Sequence, residues 1–362
     1  MDKKPVHVTT EKVREVTYDT LLSFGVDKEM AARAAKTLNT ADRRGIDTHG
    51  IARARFYDRA IRNGEINLKP NVKVVKETPV SALVDCDGGI GVATADIVMD
   101  KAMELAKKNG IGMAVAINGH HFGAAAHYTI KASEENLIGM SASPSLLITC
   151  PIGGTQKLLG NSPNSVAFPA GHKTPCMMLD MASTTVAGGK IEMCIRAGKQ
   201  MPEGWGLDKN GNPTTNPLDV FDRDIQFVGS MTPMAGPKGY CLIVMFELLS
   251  GLLPGAATGL KVVGSGGGLG YFMMAIDPTI IRPLDELKAD LDEYFLTIKN
   301  SPKREGVEEI FLPGEIEHKI TADRAANGYD LNPAVADEVL ELAIQYGRVP
   351  KDTTVYELFD VK

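Results

Sequence analysis

Between Asn71 and about Leu179 the apolar residues change rhythm in a way that only a layered fold accommodates. Val72, Val74 and Val75 read as a strand, and residues 81–85 as a second. Residues 95–108 carry a helical pattern that Asn109-Gly110 stops, 111–117 is a buried strand, a helical run reaches about Glu135, and 137–143 returns to strand. This β-α-β-α-β alternation predicts an α/β domain with helices packed on a sheet.

Inside that region lies the stretch 118–128, Asn-Gly-His-His-Phe-Gly-Ala-Ala-Ala-His-Tyr. It sets two adjacent histidines at a strand-to-helix turn. The glycine and alanines behind them leave the backbone bare, and a helix N-terminus offers N–H groups to an anion. A phosphate or carboxylate beside a titratable imidazole suits this geometry. A purely structural turn with packed histidines fits the same residues.

Residues 9–44 read as two helices, the first capped by Thr9 or Thr10, the second starting at Asp27, with Gly45 as the stop. Then follows Asp47-Thr48-His49-Gly50-Ile51-Ala52-Arg53. An N-cap at Asp47 or Thr48 predicts a third helix ending near Asn63-Gly64, with His49 in its first turn. There the helix dipole would disfavour imidazolium and make His49 a better proton donor. Arg53, four residues on, shares its face and can grip a carboxylate bidentately. The plainer reading pairs Arg53 with Asp58 and lets His49 pack.

The remainder reads more loosely. Residues 145–169 and 198–217 look loop-rich, the latter with the single tryptophan, Trp205. Residues 177–182 and 271–276 read as strands, and 190–197 and 284–299 as helices. An apolar helix opens at Gly236-Pro237-Lys238-Gly239 and runs to about Leu253. Residues 264–270 are glycine-rich. A mostly helical tail covers 316–362, with Val335, Val339, Leu340, Ala343 and Ile344 on one face.

A formal charge of −6 with no basic block argues against a nucleic-acid partner. No run approaches the roughly 18 apolar residues of a membrane span. The polar start Met-Asp-Lys-Lys-Pro shows no secretory signal. Cys86, Cys150, Cys176, Cys194 and Cys241 lack Cys-x-x-Cys spacing, so free thiols in a reducing cytoplasm are expected.

Familiar fingerprints are missing. Neither residues 88–91 nor 264–270 fit G-x-G-x-x-G in any register. There is no G-x-x-x-x-G-K-[ST], no H-E-x-x-H and no G-x-S-x-G. The cofactor site, if there is one, is expected to be non-Rossmann.

Seven short motifs do stand in order: Asp-Thr-His-Gly-Ile-Ala-Arg (47–53), Asn-Gly-His-His-Phe-Gly-Ala-Ala (118–125), Pro-Ile-Gly-Gly (151–154), Gly-Asn-Ser-Pro-Asn-Ser-Val-Ala-Phe (160–168), Leu-Asp-Met-Ala-Ser-Thr-Thr (179–185), Gly-Pro-Lys-Gly (236–239) and Leu-Pro-Gly-Glu (312–315). Each is weak alone, but the ordered set spans almost the whole chain. It resembles the second malate/L-lactate dehydrogenase family, which includes malate, sulfolactate and ureidoglycolate dehydrogenases and cyclic imino-acid reductases.

The resemblance implies an α/β fold with a non-Rossmann, NAD(P)-binding mixed-sheet domain over 71–315. It also implies a helical domain over 1–70 to which 316–362 returns, and a homodimer. It implies reversible hydride transfer between NAD, or NADP, and a small 2-oxo acid. By position, His49 matches the family's proton donor, Thr48 its supporting hydroxyl and Arg53 its carboxylate clamp; some members place the acid/base at His121. Cofactor positions match His121, Phe122, Gly123, Ala124, Ala125, Ser145, Ser162, Leu179, Asp180, Met181, Gly188, Gly189, Pro237, Lys238, Glu308, Glu309, Leu312, Pro313 and Gly314. Lys190 takes the place of the aspartate relay of the imino-acid reductases, which favours a hydroxy acid over a cyclic imine. Thr48 stands where serine is common and His120 where asparagine is usual. Malate is the preferred substrate, with Lys190 and Arg44 as candidate partners for its second carboxylate; lactate, sulfolactate and ureidoglycolate are alternatives. Two readings from other classes are a metal-dependent hydrolase using His120, His121 and His127, and a non-catalytic metabolite-binding protein.

Overall fold

The computed structural model describes residues 5–222, 227–262, 264 and 267–361. Its centre is a seven-stranded mixed sheet. In chain order the strands are β1 (Lys73–Glu77), β2 (Ser81–Asp85), β3 (Ile111–Gly119), β4 (Ile138–Ala142), β5 (Asn164–Ala167), β6 (Met178–Met181) and β7 (Leu269–Ile276). Their order across the sheet is β1-β2-β3-β7-β4-β5-β6.

Only β2 and β3 pair in parallel, through the crossover helix α4 (Gly91–Asn109), numbered fourth in chain order; every other pairing is antiparallel. The alternation seen in the sequence therefore overstates the parallel content. Periodicity reports elements, not their partners. β7 begins at Leu269, 127 residues after the end of β4 at Ala142, and lies antiparallel between β3 and β4, so the β3–helix–β4 unit skips one position.

β7 reads Leu-Gly-Tyr-Phe-Met-Met-Ala-Ile and is covered on both faces, as a central strand must be. Tyr271, Met273 and Ala275 pack with Val98, Met99 and Ala102 of α4 and with Tyr128 and Ala132 of α5 (Ala126–Glu134). Phe272 and Met274, alternating to the other face, meet Phe246 and Leu249. Phe246 lies in the last turn of α7 (Pro237–Glu247), which continues through a wider turn to about Leu253.

Helices α1 (Thr10–Ser23) and α2 (Lys28–Arg43) begin where the caps predict: Thr9 accepts from the Lys12 N–H and Asp27 from the Glu29 N–H. With α3 (Ala54–Arg62) they share a core with α10 (Pro333–Gln345) and the final turn α11 (Val355–Leu358), where Val16, Leu38 and Tyr57 pack among Val339, Leu342 and Leu358. Strand Val6–Val8 pairs antiparallel with Tyr329–Leu331, tying the two ends of the chain together. Helices α6 (Gly188–Ala197), α8 (Leu284–Lys299) and α9 (Glu315–Asn327) complete the set. Among the described residues no helix is long and apolar enough to cross a membrane.

Two loop expectations need correction. β5 lies inside 145–169. Its Asn-Ser start hides the strand because both residues are buried and polar: Asn164 Nδ2 donates to Ser183 Oγ at 3.2 Å, and Ser165 Oγ meets Thr129 Oγ1 at 2.7 Å. The 198–217 loop contributes two short strands to a three-stranded sheet with Ser230–Met231. Of the glycine-rich run, Ser265 and Gly266 lie outside the described residues.

Antiparallel registers bring Gly119, Ala142, Asn164, Met181 and Leu269 to one end of the sheet. The loops leaving that end carry the histidine pair and the motifs near Ser145, Ser162 and Ser183. At the start of α4, a Cβ on Gly91 would lie 2.2 Å from the His121 carbonyl oxygen and 2.3 Å from that of His120. Neither neighbour is a flexible side-chain tip. Gly91→Ala is expected to cost about 1–3 kcal/mol through overpacking, measured as a lower urea midpoint at unchanged denaturant dependence.

Candidate functional site

The residues of the Asp47–Arg53 motif do not form the first turn of an α-helix. Asp47–His49 and Ile51–Arg53 are separate 3-10 turns, and α3 starts only at Ala54. Neither Asp47 nor Thr48 caps it. Asp47 is drawn away by Arg324, and the Thr48 hydroxyl lies 3.0 Å from His49 Nδ1. The helix-dipole argument for His49 therefore fails.

Its consequence survives by another route. Burial, with the positive Arg53 second, pushes the His49 imidazole down to about 3. The turn after β3 brings His121 to within a ring-centroid distance of 5.9 Å. His121 is also held well below its ordinary range by burial, then by Arg53 and His49. Both rings are neutral at pH 7, and Nδ1 of each is engaged: His49 by Thr48, and His121 by the Tyr57 hydroxyl at 3.0 Å. Nε2 is the nitrogen left to meet a ligand.

Phe56 packs edge-on to His121 at 5.2 Å, and the Arg53 guanidinium lies 5.9 Å from the centre of the Phe56 ring. Arg53 does not pair with Asp58, which instead accepts from Arg62 and from the Tyr346 hydroxyl. Among the described residues Arg53 Nε is buried without a hydrogen-bond partner. His49, His121 and Arg53 are each only part-exposed, so they are largely desolvated yet still reachable. A neutral imidazole pair beside a guanidinium with a spare donor can bind a carboxylate and pass a proton.

The N-terminus of α6 closes the opposite side. A Cβ on Gly189 would lie 3.5 Å from Thr48 Cγ2, and the Glu192 carboxylate acts on Arg53. Lys190, between them, is exposed. Tyr57 and Glu192 are the site residues that the motifs miss. Tyr57 stands four residues after Arg53, and that helical spacing was the available signal.

Other candidates lie elsewhere. Arg44 Nη2 sits 3.3 Å from Met178 Sδ, with Asp180 and Glu317 as its nearby charges, so it faces the β6 edge. His120 is buried, its Nε2 3.8 Å from Glu65 Oε2. His127 lies between Thr40 Oγ1 at 2.8 Å and Asp96 Oδ1 at 3.1 Å. The three histidines thus diverge, and no group of three His, Cys, Asp or Glu among the described residues is placed to hold a metal ion.

The cofactor positions fall into two groups. Ser145 Oγ accepts from the Asn161 N–H at 2.8 Å, and Ser162 Oγ donates to the Ile243 carbonyl at 3.1 Å, joining the sheet-end loops to α7. Along the other edge, the Met178 N–H donates to the Pro313 carbonyl at 3.2 Å, and Asp180 accepts from the Ala126 N–H, so Leu179–Met181, Leu312–Gly314 and the start of α5 meet. Glu309 is engaged by Lys299 and Lys319, each at 2.7 Å, which hold its carboxyl down to about 2. The Phe122 side chain is a correction: it stacks between Tyr128 and Tyr271 in the core and leaves only backbone for a ligand.

α5, α6 and α7 all begin without a side-chain cap, at Ala125, Ala187 and Gly236. Around Gly236, at φ 61°, no atom lies within 4 Å of where a Cβ would be. A cavity of 460 Å³ opens there, lined by Pro151, Gly153, Thr185, Pro233 and Gly236 among others. At α5 the Ala126 N–H is taken by Asp180, which leaves the starts of α6 and α7 as the uncapped helix ends that fit a dinucleotide's phosphates.

A model of the malate/L-lactate dehydrogenase family matches residues 8–340. L-sulfolactate dehydrogenase of Methanocaldococcus jannaschii is 35% identical over 342 residues, covering 93% of this chain and 96% of its own. The sulfolactate dehydrogenase structure from that organism superposes with a TM-score of 0.85, over 94% of this chain and 97% of its own. Malate dehydrogenase of Pyrococcus horikoshii is 33% identical over 357 residues, with 96% and 97% covered. The Entamoeba histolytica malate dehydrogenase structure gives a TM-score of 0.89 at 30% identity, with 96% and 99% covered.

The depressed imidazoles make stability depend on acid. Below the unfolded-state pKa of about 6.5 the unfolded chain binds protons that the folded chain refuses. Folding stability should hold above pH 7 and fall as pH drops from 6.5 towards the folded value of about 3 for His49. Urea midpoints at pH 7.5, 6 and 5 test this, and His49→Asn should make the decline shallower.

Proposed function

The chain belongs to the malate/L-lactate dehydrogenase family, and from that premise we propose that it interconverts malate and oxaloacetate at the His49–Arg53–His121 cluster. It is an NAD(P)-dependent oxidoreductase of 2-hydroxy acids. The nucleotide supplies the hydride when bound. Leu179–Met181, Leu312–Gly314, the bare 123–125 turn and the starts of α6 and α7 would hold it, without a Rossmann fingerprint. NAD is the preferred form, with NADP as the alternative. The reading also takes 1–70 with 316–362 as the helical domain, 71–315 as the cofactor domain, and two copies as the working unit.

One observation carries the assignment: a buried guanidinium nitrogen without a partner lies beside a neutral imidazole whose Nδ1 a hydroxyl already holds. Arg53 grips the substrate's 1-carboxylate. His49, oriented by Thr48, takes the hydroxyl proton in oxidation and returns it in reduction. In the free protein the charge of Arg53 works against protonation of His49. Burial is the larger cause of the depression, and a bound carboxylate offsets only the second, moving the imidazole upward when the 2-oxo acid is seated. Tyr57 and Phe56 fix His121 alongside, where it excludes water or shares the proton. Lys190, exposed and next in sequence to Gly189, which borders Thr48, is the cation for a second acidic group at C3.

A sulfonate at C3 offers the same charge pattern, so sulfolactate is the second reading, favoured by the sulfolactate dehydrogenase relative. Initial rates with malate, sulfolactate, lactate and ureidoglycolate against NAD and NADP decide between them; malate should give the highest kcat/KM. His49→Ala should lower kcat about 10²–10⁴-fold; undiminished turnover would move the proton transfer to His121. Arg53→Ala should raise KM for oxaloacetate by roughly 10–100-fold, the scale of a lost charge-assisted contact. An unchanged KM would remove Arg53 from the substrate site.

A further inference from the structure

Two three-residue turns carry Thr48, His49 and Arg53, and neither has a side-chain cap. Such turns hold themselves weakly, since few hydrogen bonds close within them. The segment is fixed from outside. Asp42 on α2 is buried, and its Oδ2 accepts from the Ile51 N–H at 2.9 Å. Its carboxyl fills the space a side chain at position 50 would need, because a Cβ on Gly50 would lie 1.8 Å from Asp42 Oδ1. Arg324 on α9 reaches the same place. Its Nη1 donates to the Asp42 carbonyl and to Asp47 Oδ1, each at 2.5 Å, and its Nη2 to Asp47 Oδ2 at 3.2 Å. The guanidinium lies 4.1 Å from the centre of the Tyr329 ring.

We propose that Arg324 and Asp42 are positioning residues for the reaction, a clamp that sets the pitch of residues 47–53 and so aims His49 and Arg53 at the start of α6. The proposal rests on the dehydrogenase reading of that cluster. Neither residue is assigned a contact with substrate or nucleotide. Asp42 seats the second turn by one backbone hydrogen bond. Arg324 fastens the first by a two-pronged grip on Asp47 and a third bond to the chain just before it. A lysine has the charge but not the planar fork, and cannot make all three contacts with one geometry. The clamp comes from the far end of the chain, so it makes the carboxy-terminal helices part of the site.

The test is Arg324→Gln in the full chain, with Arg324→Lys beside it and Asp47→Asn as the milder cut, since Asp47 is exposed. Arg324→Gln should lower kcat for oxaloacetate reduction 10–100-fold, with Arg324→Lys intermediate. NADH binding, followed by its fluorescence, should change less than twofold. In a His49→Ala background the Arg324→Gln loss should vanish, because the ring it aims is gone. Hydrogen exchange at the Ile51 amide should quicken in each clamp variant. A kcat within twofold of wild type in Arg324→Gln, or a loss that persists in full without His49, would overturn the proposal. A parallel fall in NADH binding in Arg324→Gln marks general collapse of that variant, and Asp47→Asn then decides by the same measurements and thresholds. If the wild-type chain reduces no 2-oxo acid at all, the reading of the reaction fails, and Ile51 exchange alone still decides whether the clamp exists.

Discussion

The position of β7 is the constraint on which the rest depends. Eight residues from late in the chain occupy the middle of the sheet, antiparallel to both neighbours. That placement needs a segment apolar on both faces, and Leu269–Ile276 is one. With β7 between them, β3 and β4 point the same way one position apart. The turns that follow both strands then emerge from the same end of the sheet. The hydroxyl of Tyr271 in this strand also donates to the His120 carbonyl and accepts from the His120 N–H, fixing the backbone beside His121. The central strand thus orders the sheet and pins the turn that carries the imidazole.

The second organising contact is the hydrogen bond between Tyr57 and His121. It joins a helix of the amino-terminal segment to a loop of the sheet. Phe56 and the Tyr57 hydroxyl face the histidine turn, while the Tyr57 ring, Ala54 and Ala60 enter the core shared with α10. The low-dielectric wall that depresses His49 and His121 is therefore the packing seam between helices and sheet. The electrostatics of the site are a by-product of how the chain buries its apolar surface. This is why burial, rather than any formal charge, leads the causes for each ring.

Much of this was legible in the residues. The ordered motifs pointed to the family, and the caps at Thr9 and Asp27 marked the first two helices. His49 and Arg53 were paired by their spacing, whereas a role for His121 beside them was implied by resemblance rather than by pattern, since some 70 residues separate it from them. What was illegible has physical reasons. The motif at Asp47 looks like an N-cap until Arg324, 277 residues away, claims the carboxylate. β5 looked like a loop because its buried residues are polar and satisfied by other side chains. Arg44 looked like a free cation because a sequence does not reveal that a thioether and two carboxylates surround it. In each case a long-range partner overrode a local signal.

The antiparallel pairing of Val6–Val8 with Tyr329–Leu331 carries a consequence for how the molecule is made. A ribosome releases His49 and Arg53 early, when the helices that cover them and the residues that steady their segment have yet to be translated. The nascent chain must therefore carry its chemical groups unsupported until Arg324 and the residues around Leu342 have been made. It acquires their final arrangement only when the tail returns to lie beside the head.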